Sequence, residues 1–406
     1  MENCAKNSAA VQLSTRVNCL QLSLILGGLT ALGPLSIDMY LPALPGLAKG
    51  LNTSASSAQL SLTFFLLGLA IGQLFAGPLS DIRGRRKPLL VGLTIYIVSS
   101  LLCALSPSIW LLIVLRFLQG LAGAAGVVIS RAIVRDLYSG SELTKFISRL
   151  MLVNGAAPVL APIAGGQLLR VTSWHGVFIV LAVIGIILLL TVFFGVSETL
   201  PAQSRSEAGI NNTLSILRNL INDRIFMGYA LSQGLVSAAM FAYISGSPFV
   251  LQEIFSISPQ IFSLLFAINS FGIIIASQVT GRLAGRINET KLFVTGIGIS
   301  FIGSSMLLTA IIMEAGLFLI LLPLFFAVSS VGIVMTTGFS LAMQNQGQTA
   351  GSASAVLGVL SFIFGAFAAP LVGLGGSQTA LPLGVVIAAV SFGSVLSYTI
   401  LVRRKL

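Results

Sequence analysis

The sequence predicts an all-α membrane protein of twelve transmembrane helices, arranged as two pseudo-symmetric six-helix bundles. Three observations predict it. The 406 residues are 56% hydrophobic and only 8% charged, with a mean hydropathy of +1.01. A soluble domain of that length cannot hide so much apolar surface. The apolar runs are about 20 residues long, whereas strands of a membrane barrel are about 10 and alternate with polar residues. Finally, the first half of the chain is echoed in the second.

The spans are expected near 19–42, 57–77, 89–106, 109–134, 146–168, 176–197, 225–248, 260–281, 291–313, 316–341, 351–374 and 380–402. An even number puts both termini on one side. The cations choose the side. With the termini inside, nineteen Lys and Arg fall in cytoplasmic segments and only Lys49 and Arg170 fall outside. Arg116, the last of the 22 cations, lies within a span. The net charge of +11 then faces anionic inner-leaflet lipid and needs no nucleic acid. A multi-pass protein of the cytoplasmic (inner) membrane is expected, with the lipid bilayer as partner and both termini cytoplasmic.

Residues 1–18 form a polar cytoplasmic tail carrying Glu2, Lys6 and Arg16, without the apolar core and cleavage site of a secretory signal. Residues 19–197 hold the first six spans. The one long polar stretch, 198–224, carries Glu198, Arg205, Glu207, Arg218, Asp223 and Arg224 and reads as a cytoplasmic linker. Residues 225–402 hold the second six spans, and 403–406 form a short cytoplasmic tail. Gly77-Pro78-Leu79 with Gly92 recurs as Gly281-Arg282-Leu283 with Gly296, 204 residues on. Ala161-Pro162-Ile163-Ala164-Gly165 recurs as Ala369-Pro370-Leu371-Val372-Gly373, 208 residues on. Duplicated halves related by an axis along the membrane normal are a transporter design, with the substrate site near midplane between them.

Enzyme chemistry has no foothold in the sequence. Cys4, Cys19 and Cys103 lack metal or redox spacing, so no cofactor is expected. The single His175 sits beside Trp174 and reads as an interfacial anchor. No histidine–acid pair or nucleophile constellation falls within the spans.

Two charged side chains, Asp38 and Arg116, are expected deep in the membrane. A charge near the bilayer centre costs roughly 2.5–3.5 kcal/mol on insertion scales, so one retained there usually serves an ion path, a proton relay or a ligand. Asp38 can take up a proton, whereas Arg116 in practice cannot lose one. Asp38 is therefore expected to carry the coupling proton, with Arg116 as its partner. The competing readings are a carboxylate at the outer interface and an arginine packed on backbone carbonyls. Asp38 is read as sharing a helix face with Pro34 and Pro42. Arg116, Gln119, Gly120 and Gly123 share a face of span 4, with Arg116 about 10 Å below the outer helix start.

Between spans 2 and 3 the chain reads Gly77-Pro78-Leu79-Ser80-Asp81-Ile82-Arg83-Gly84-Arg85-Arg86-Lys87. The glycines Gly77 and Gly84 allow a tight turn. Asp81 lies among Arg83, Arg85 and Arg86, and charge-assisted bonds there are expected to form a cytoplasmic latch. Span 5 carries Asn154, Pro158, Pro162, Gly165 and Gly166, a pliable stripe of prolines and glycines.

Taken together, these residues resemble the major facilitator superfamily, and within it the drug/proton antiporters of the bicyclomycin-resistance (Bcr/CflA) type. Ser36 to Pro45 looks like the span 1 signature of that subfamily, and Gly77 to Lys87 looks like the superfamily loop motif. Arg116-x-x-Gln119-Gly120 resembles the span 4 motif implicated in proton coupling, and Ala161-Pro162-x-x-Gly165-Gly166 resembles the antiporter motif. Tyr243 to Phe249 is similar to the end of the subfamily's span 7. Two departures stand out. Ile82 precedes Arg83 where the usual order puts the basic residue straight after the acid, which leaves open which arginine pairs with Asp81. Ala161 replaces the first glycine of the antiporter motif.

The resemblance implies proton-coupled efflux of small amphipathic drugs by alternating access, with protons as the coupling ion and a monomer as the working unit. Expected cavity residues are Tyr40, Gln59, Phe64, Phe117, Asn154, Phe241, Tyr243, Asn269 and Phe362. The alternative is a proton-coupled uptake carrier for a small polar metabolite, which would need more polar cavity groups than the spans offer.

Overall fold

The computed structural model describes residues 19–138, 140–201, 220–344, 350–376 and 378–403. The N-terminal tail, most of the expected linker and residues 404–406 lie outside these. The first half contains α1 (Cys19–Asp38), the short α2 (Leu44–Gly50), α3 (Ala55–Arg83), α4 (Arg86–Ala104), α5 (Ile109–Leu137), α6 (Gly140–Leu168) and α7 (Trp174–Gly195). The second half contains α8 (Arg224–Phe249), α9 (Pro259–Leu283), α10 (Glu289–Ile312), α11 (Leu317–Met343), α12 (Ala350–Gly373) and α13 (Leu381–Leu401). Eleven runs are apolar and long enough to cross a membrane, the first spanning α1 and α2 together. The 29-residue α6 is the twelfth span by position and length.

Polar caps mark the starts. Ser54 accepts from the Ser57 amide at 3.1 Å to begin α3, and Asp223 accepts from the amides of Ile225 and Phe226 at 3.0 and 3.1 Å to begin α8. α3 runs further than the sequence suggested. It continues through Gly77 and Pro78, placed above in a loop, as far as Arg83. Proline inside a membrane helix forfeits one hydrogen bond without ending the helix. The turn is made by Gly84 alone, at φ 85°. Gly77 makes only ordinary contact with Val128.

α3 and α5 pack backbone to backbone. A Cβ on Gly120 would collide with the Phe65 carbonyl oxygen, so only glycine admits this approach. That contact brings Arg116, one turn before Gly120, against the Phe65 ring.

The polar bonds joining the two halves among the described residues cluster at the outer end. Gln59 Nε2 donates to the Ser245 carbonyl at 3.1 Å, Gln252 Nε2 to that of Pro42 at 3.3 Å, and Gln260 Nε2 to that of Gly166 at 2.9 Å. Lys49 and Glu253 form an ion pair at 2.9 Å. Gln252 and Glu253 sit on a π-helical turn, Val250–Ile254, that extends α8 outward. α6 also closes here, where a Cβ on Gly166 would strike the Ser263 hydroxyl of α9.

Candidate functional site

The site begins with a break in the first span. Pro42 has no N–H to offer the Asp38 carbonyl, and Pro45 has none for Leu41. α1 therefore ends at Asp38, and the chain passes through a turn and a 3-10 segment, Leu41–Ala43, before α2. The expected helix face shared by Asp38 and Pro42 does not exist, because no helix continues across them. Discontinuous spanning helices of this kind are where transporters place ion and substrate groups. α6 braces the break: a Cβ on Gly165 would collide with the Met39 carbonyl oxygen. The neighbours Gly165 and Gly166 thus touch opposite halves.

Helix termination frees the Ser36 carbonyl, and Arg116 takes it. The guanidinium Nη2 donates to Ser36 O at 3.0 Å and Nη1 to Gln119 Oε1 at 2.6 Å. Gln119 donates in turn to Ser100 Oγ at 2.7 Å, and the hydroxyls of Ser36 and Tyr96 are 2.6 Å apart. Three rings surround the cation: Phe65 at 4.2 Å, Tyr40 at 4.8 Å and Phe178 at 5.7 Å from the guanidinium carbon. Arg116 is wholly buried and has no carboxylate partner.

The expected Asp38–Arg116 pair is therefore not formed in this structure. Residues two apart lie on nearly opposite faces of a helix. Ser36 looks into the first half, toward Tyr96 and Arg116, while Asp38 looks toward the second. Its side chain is 5% exposed, and it is the sole buried Asp or Glu among the described residues. Its neighbour across the seam is Tyr243 of α8, which lies within electrostatic reach. The Tyr243 hydroxyl accepts a 2.8 Å hydrogen bond from Asn269 Nδ2 of α9, and its ring stacks on Phe266 at 5.2 Å.

The other expected cavity residues fall into three groups. Tyr40 is fully buried inside the first half, where its hydroxyl meets Ser61 Oγ at 2.8 Å, so it lines no cavity here. Gln59 belongs to the outer closure. Phe64 and Phe117 form an edge-to-face pair at 6.5 Å, and Phe241 and Phe362 a tilted pair at 5.9 Å. Phe64, Phe117, Phe362 and Asn154 are half-buried, whereas Phe241 is 4% exposed.

At the cytoplasmic end the pairing left open by the sequence is resolved. Arg85, at 2% exposure, bonds Asp81 at 2.5 Å, Asp136 at 2.8 Å and Ser80 Oγ at 2.8 Å. Burial opposes the Arg85 charge, but its bonds to Asp136 and Asp81 outweigh burial and raise its pKa above the ordinary guanidinium value. Glu198 accepts from the Arg85 and Arg86 amides at 2.7 and 3.2 Å, and Thr199 donates to Asp136 at 3.2 Å. Arg86 also donates to the Phe193 carbonyl at 2.6 Å. Arg83 is exposed and makes no ion pair. Sequence reasoning missed Asp136 and Glu198. The signal was present in both: an acid at the cytoplasmic end of a span, opposite a basic loop. Because Asp81 and Asp136 share one guanidinium, Asp81→Ala and Asp136→Ala should slow turnover comparably, by about tenfold for one lost charge-assisted bond, with drug affinity little changed. Transport rates and binding of one substrate in both variants check this, and lost binding with intact turnover would contradict it.

The comparisons with known proteins agree with this architecture. The family model described as Major Facilitator Superfamily matches residues 26–370. The chain belongs to the major facilitator superfamily. Among superfamily proteins, a Bacillus subtilis (strain 168) protein named an uncharacterized MFS-type transporter, YdgK, is 46% identical, covering 90% of this chain and 92% of its own. A Haemophilus influenzae protein named a bicyclomycin resistance protein homolog is 30% identical over 94% of this chain and 96% of its own. The solved nucleoside transporter NupG has the same fold, with a TM-score of 0.78 at 13% identity, covering 94% of this chain and 99% of that one. The chain is thus a multi-pass membrane transporter, of a family and fold that are not those of enzymes.

Proposed function

We propose that this transporter exports small amphipathic drugs from the cytoplasm in exchange for protons. The observation that carries the reading is Asp38: a lone buried carboxyl at a break in a spanning helix, on the seam between two halves. Its protonation changes what that seam holds, and so changes which side of the carrier opens. The relative named for bicyclomycin resistance, and a 29% identical Escherichia coli O157:H7 relative named multidrug resistance protein MdtL, support a drug as the substrate. The half-buried aromatic pairs Phe64–Phe117 and Phe241–Phe362 suit an apolar compound that is neutral or carries one charge. The carrier works as a monomer in the cytoplasmic membrane, both termini in the cytoplasm. It uses protons and no cofactor, and binds no nucleic acid.

Everted vesicles test the reading. Acidifying the lumen should drive protein-dependent accumulation of antibiotics or dyes, and a protonophore should abolish it. Energised accumulation by intact cells instead would establish uptake, and accumulation indifferent to the protonophore would reject proton coupling.

A further inference from the structure

Obligatory exchange requires that the empty, unprotonated carrier not change sides. If it did, substrate would run downhill without a proton. Something must hold that state and release it when either a proton or a drug arrives. The seam at Asp38 contains the parts for such a hold.

Asp38 is buried yet accepts no hydrogen bond from any described residue. Across the seam, Tyr243 is 2% exposed and its hydroxyl oxygen is already engaged as an acceptor by Asn269 Nδ2 at 2.8 Å. That bond leaves the phenol proton free to be donated. The ring cannot swing away, because it stacks on Phe266 at an interplanar angle of 12°. An unspent donor on one half therefore faces an unmet acceptor on the other. Ser247, one turn along α8, is the other receiver within reach and has an unpartnered hydroxyl. The seam around them is already tied by Gln59 to Ser245 and by Gln252 to Pro42.

We infer that Tyr243, held in place by Asn269, is the interlock of the empty carrier: it donates to the Asp38 carboxylate and keeps the outer end shut until a proton or a bound drug takes its place. This rests on the proposed proton coupling at Asp38. The unprotonated carboxylate accepts a charge-assisted bond that fastens α1 to α8. Uptake of one proton from outer water neutralises the carboxyl and weakens that bond, and a drug competing for the carboxylate does the same. Asn269 is a positioning residue, acting through Tyr243.

The test needs no identified substrate. The charged and titratable groups about the seam are Arg116, Tyr40, Tyr96 and Cys103 on the first half and Tyr243 on the second, with Lys49 and Glu253 nearer the outer surface. All but the mutated ones stay constant through the experiment. Spin labels at Val171→Cys and Gln378→Cys, both in exposed outer loops, report opening of the outer end in a chain whose three native cysteines are replaced. In the parent, raising the pH from 5.5 to 8.5 should close the outer end.

Asp38→Asn should abolish that response. Tyr243→Phe should shrink it about tenfold, the equilibrium equivalent of one hydrogen bond to a charged group. Adding Tyr243→Phe to Asp38→Asn should change nothing further. Asn269→Ala should give an intermediate loss and serves if the phenylalanine variant does not fold. A Tyr243→Phe carrier that shifts its population equally at every pH, but keeps the full response, has lost a packing contact only and overturns the interlock. A parent with no pH response removes the proton-coupling reading itself.

Discussion

Replacing Asp38 with asparagine should reduce proton-driven drug accumulation in everted vesicles to the background of vesicles lacking the protein, with expression intact. The amide keeps the shape of the carboxyl, but it neither ionises nor takes up a proton. It sits at a helix end where Pro42 has already removed a backbone donor, so the fold loses no listed partner bond from the change. Movement of drug down its own gradient should survive, because that needs the cavity and the rocking of the two halves but no proton. Retained accumulation against a gradient in the Asn variant would move the coupling group elsewhere.

Arg116→Ala should destabilise the first half by about 3–5 kcal/mol. Two buried acceptors, Ser36 O and Gln119 Oε1, lose their donor at about 1–3 kcal/mol each, and a desolvated cation–π contact adds about 2 kcal/mol. Thermal unfolding in detergent should report the loss directly. Arg116→Lys keeps the charge but not the planar fork that lies between three rings and reaches two acceptors. It should fall between alanine and the parent. An alanine variant as stable as the parent would show that the guanidinium does not hold α1, α4 and α5 together.

Composition, run length and the cation bias made the twelve spans and their orientation legible, because each depends only on how a residue meets lipid or water. Asp38 and Arg116 were legible as buried charges for the same reason. Their pairing was not. It turns on which way two side chains point about α1, and a step of two residues sends Ser36 to one side and Asp38 to the other. The break after Asp38 was written in Pro42 and Pro45, yet apolarity alone reads straight across it. The partners of Arg85 show a different limit. Asp136 and Glu198 are 51 and 113 residues away in the chain and meet Arg85 only once α3, α5 and α7 are bundled. Tyr243 and Asn269 were picked as cavity polar groups. Their bond to each other was hidden because it links two helices whose rotations the sequence does not set.

The cage around Arg116 also has an electrical consequence. Its charge is permanent and travels with the first half, whereas the Asp38 charge comes and goes. With Asp38 ionised the two cancel, and with Asp38 neutral the unloaded carrier is left with one net positive charge in the membrane core. A voltage negative inside favours the inward return of that form by as much as about 2.3 kcal/mol per 100 mV if the charge crosses the full field. Export of a neutral compound for one proton would then draw on voltage as well as on the pH gradient. Export of a monovalent cation for one proton would move no net charge and would draw on the pH gradient alone.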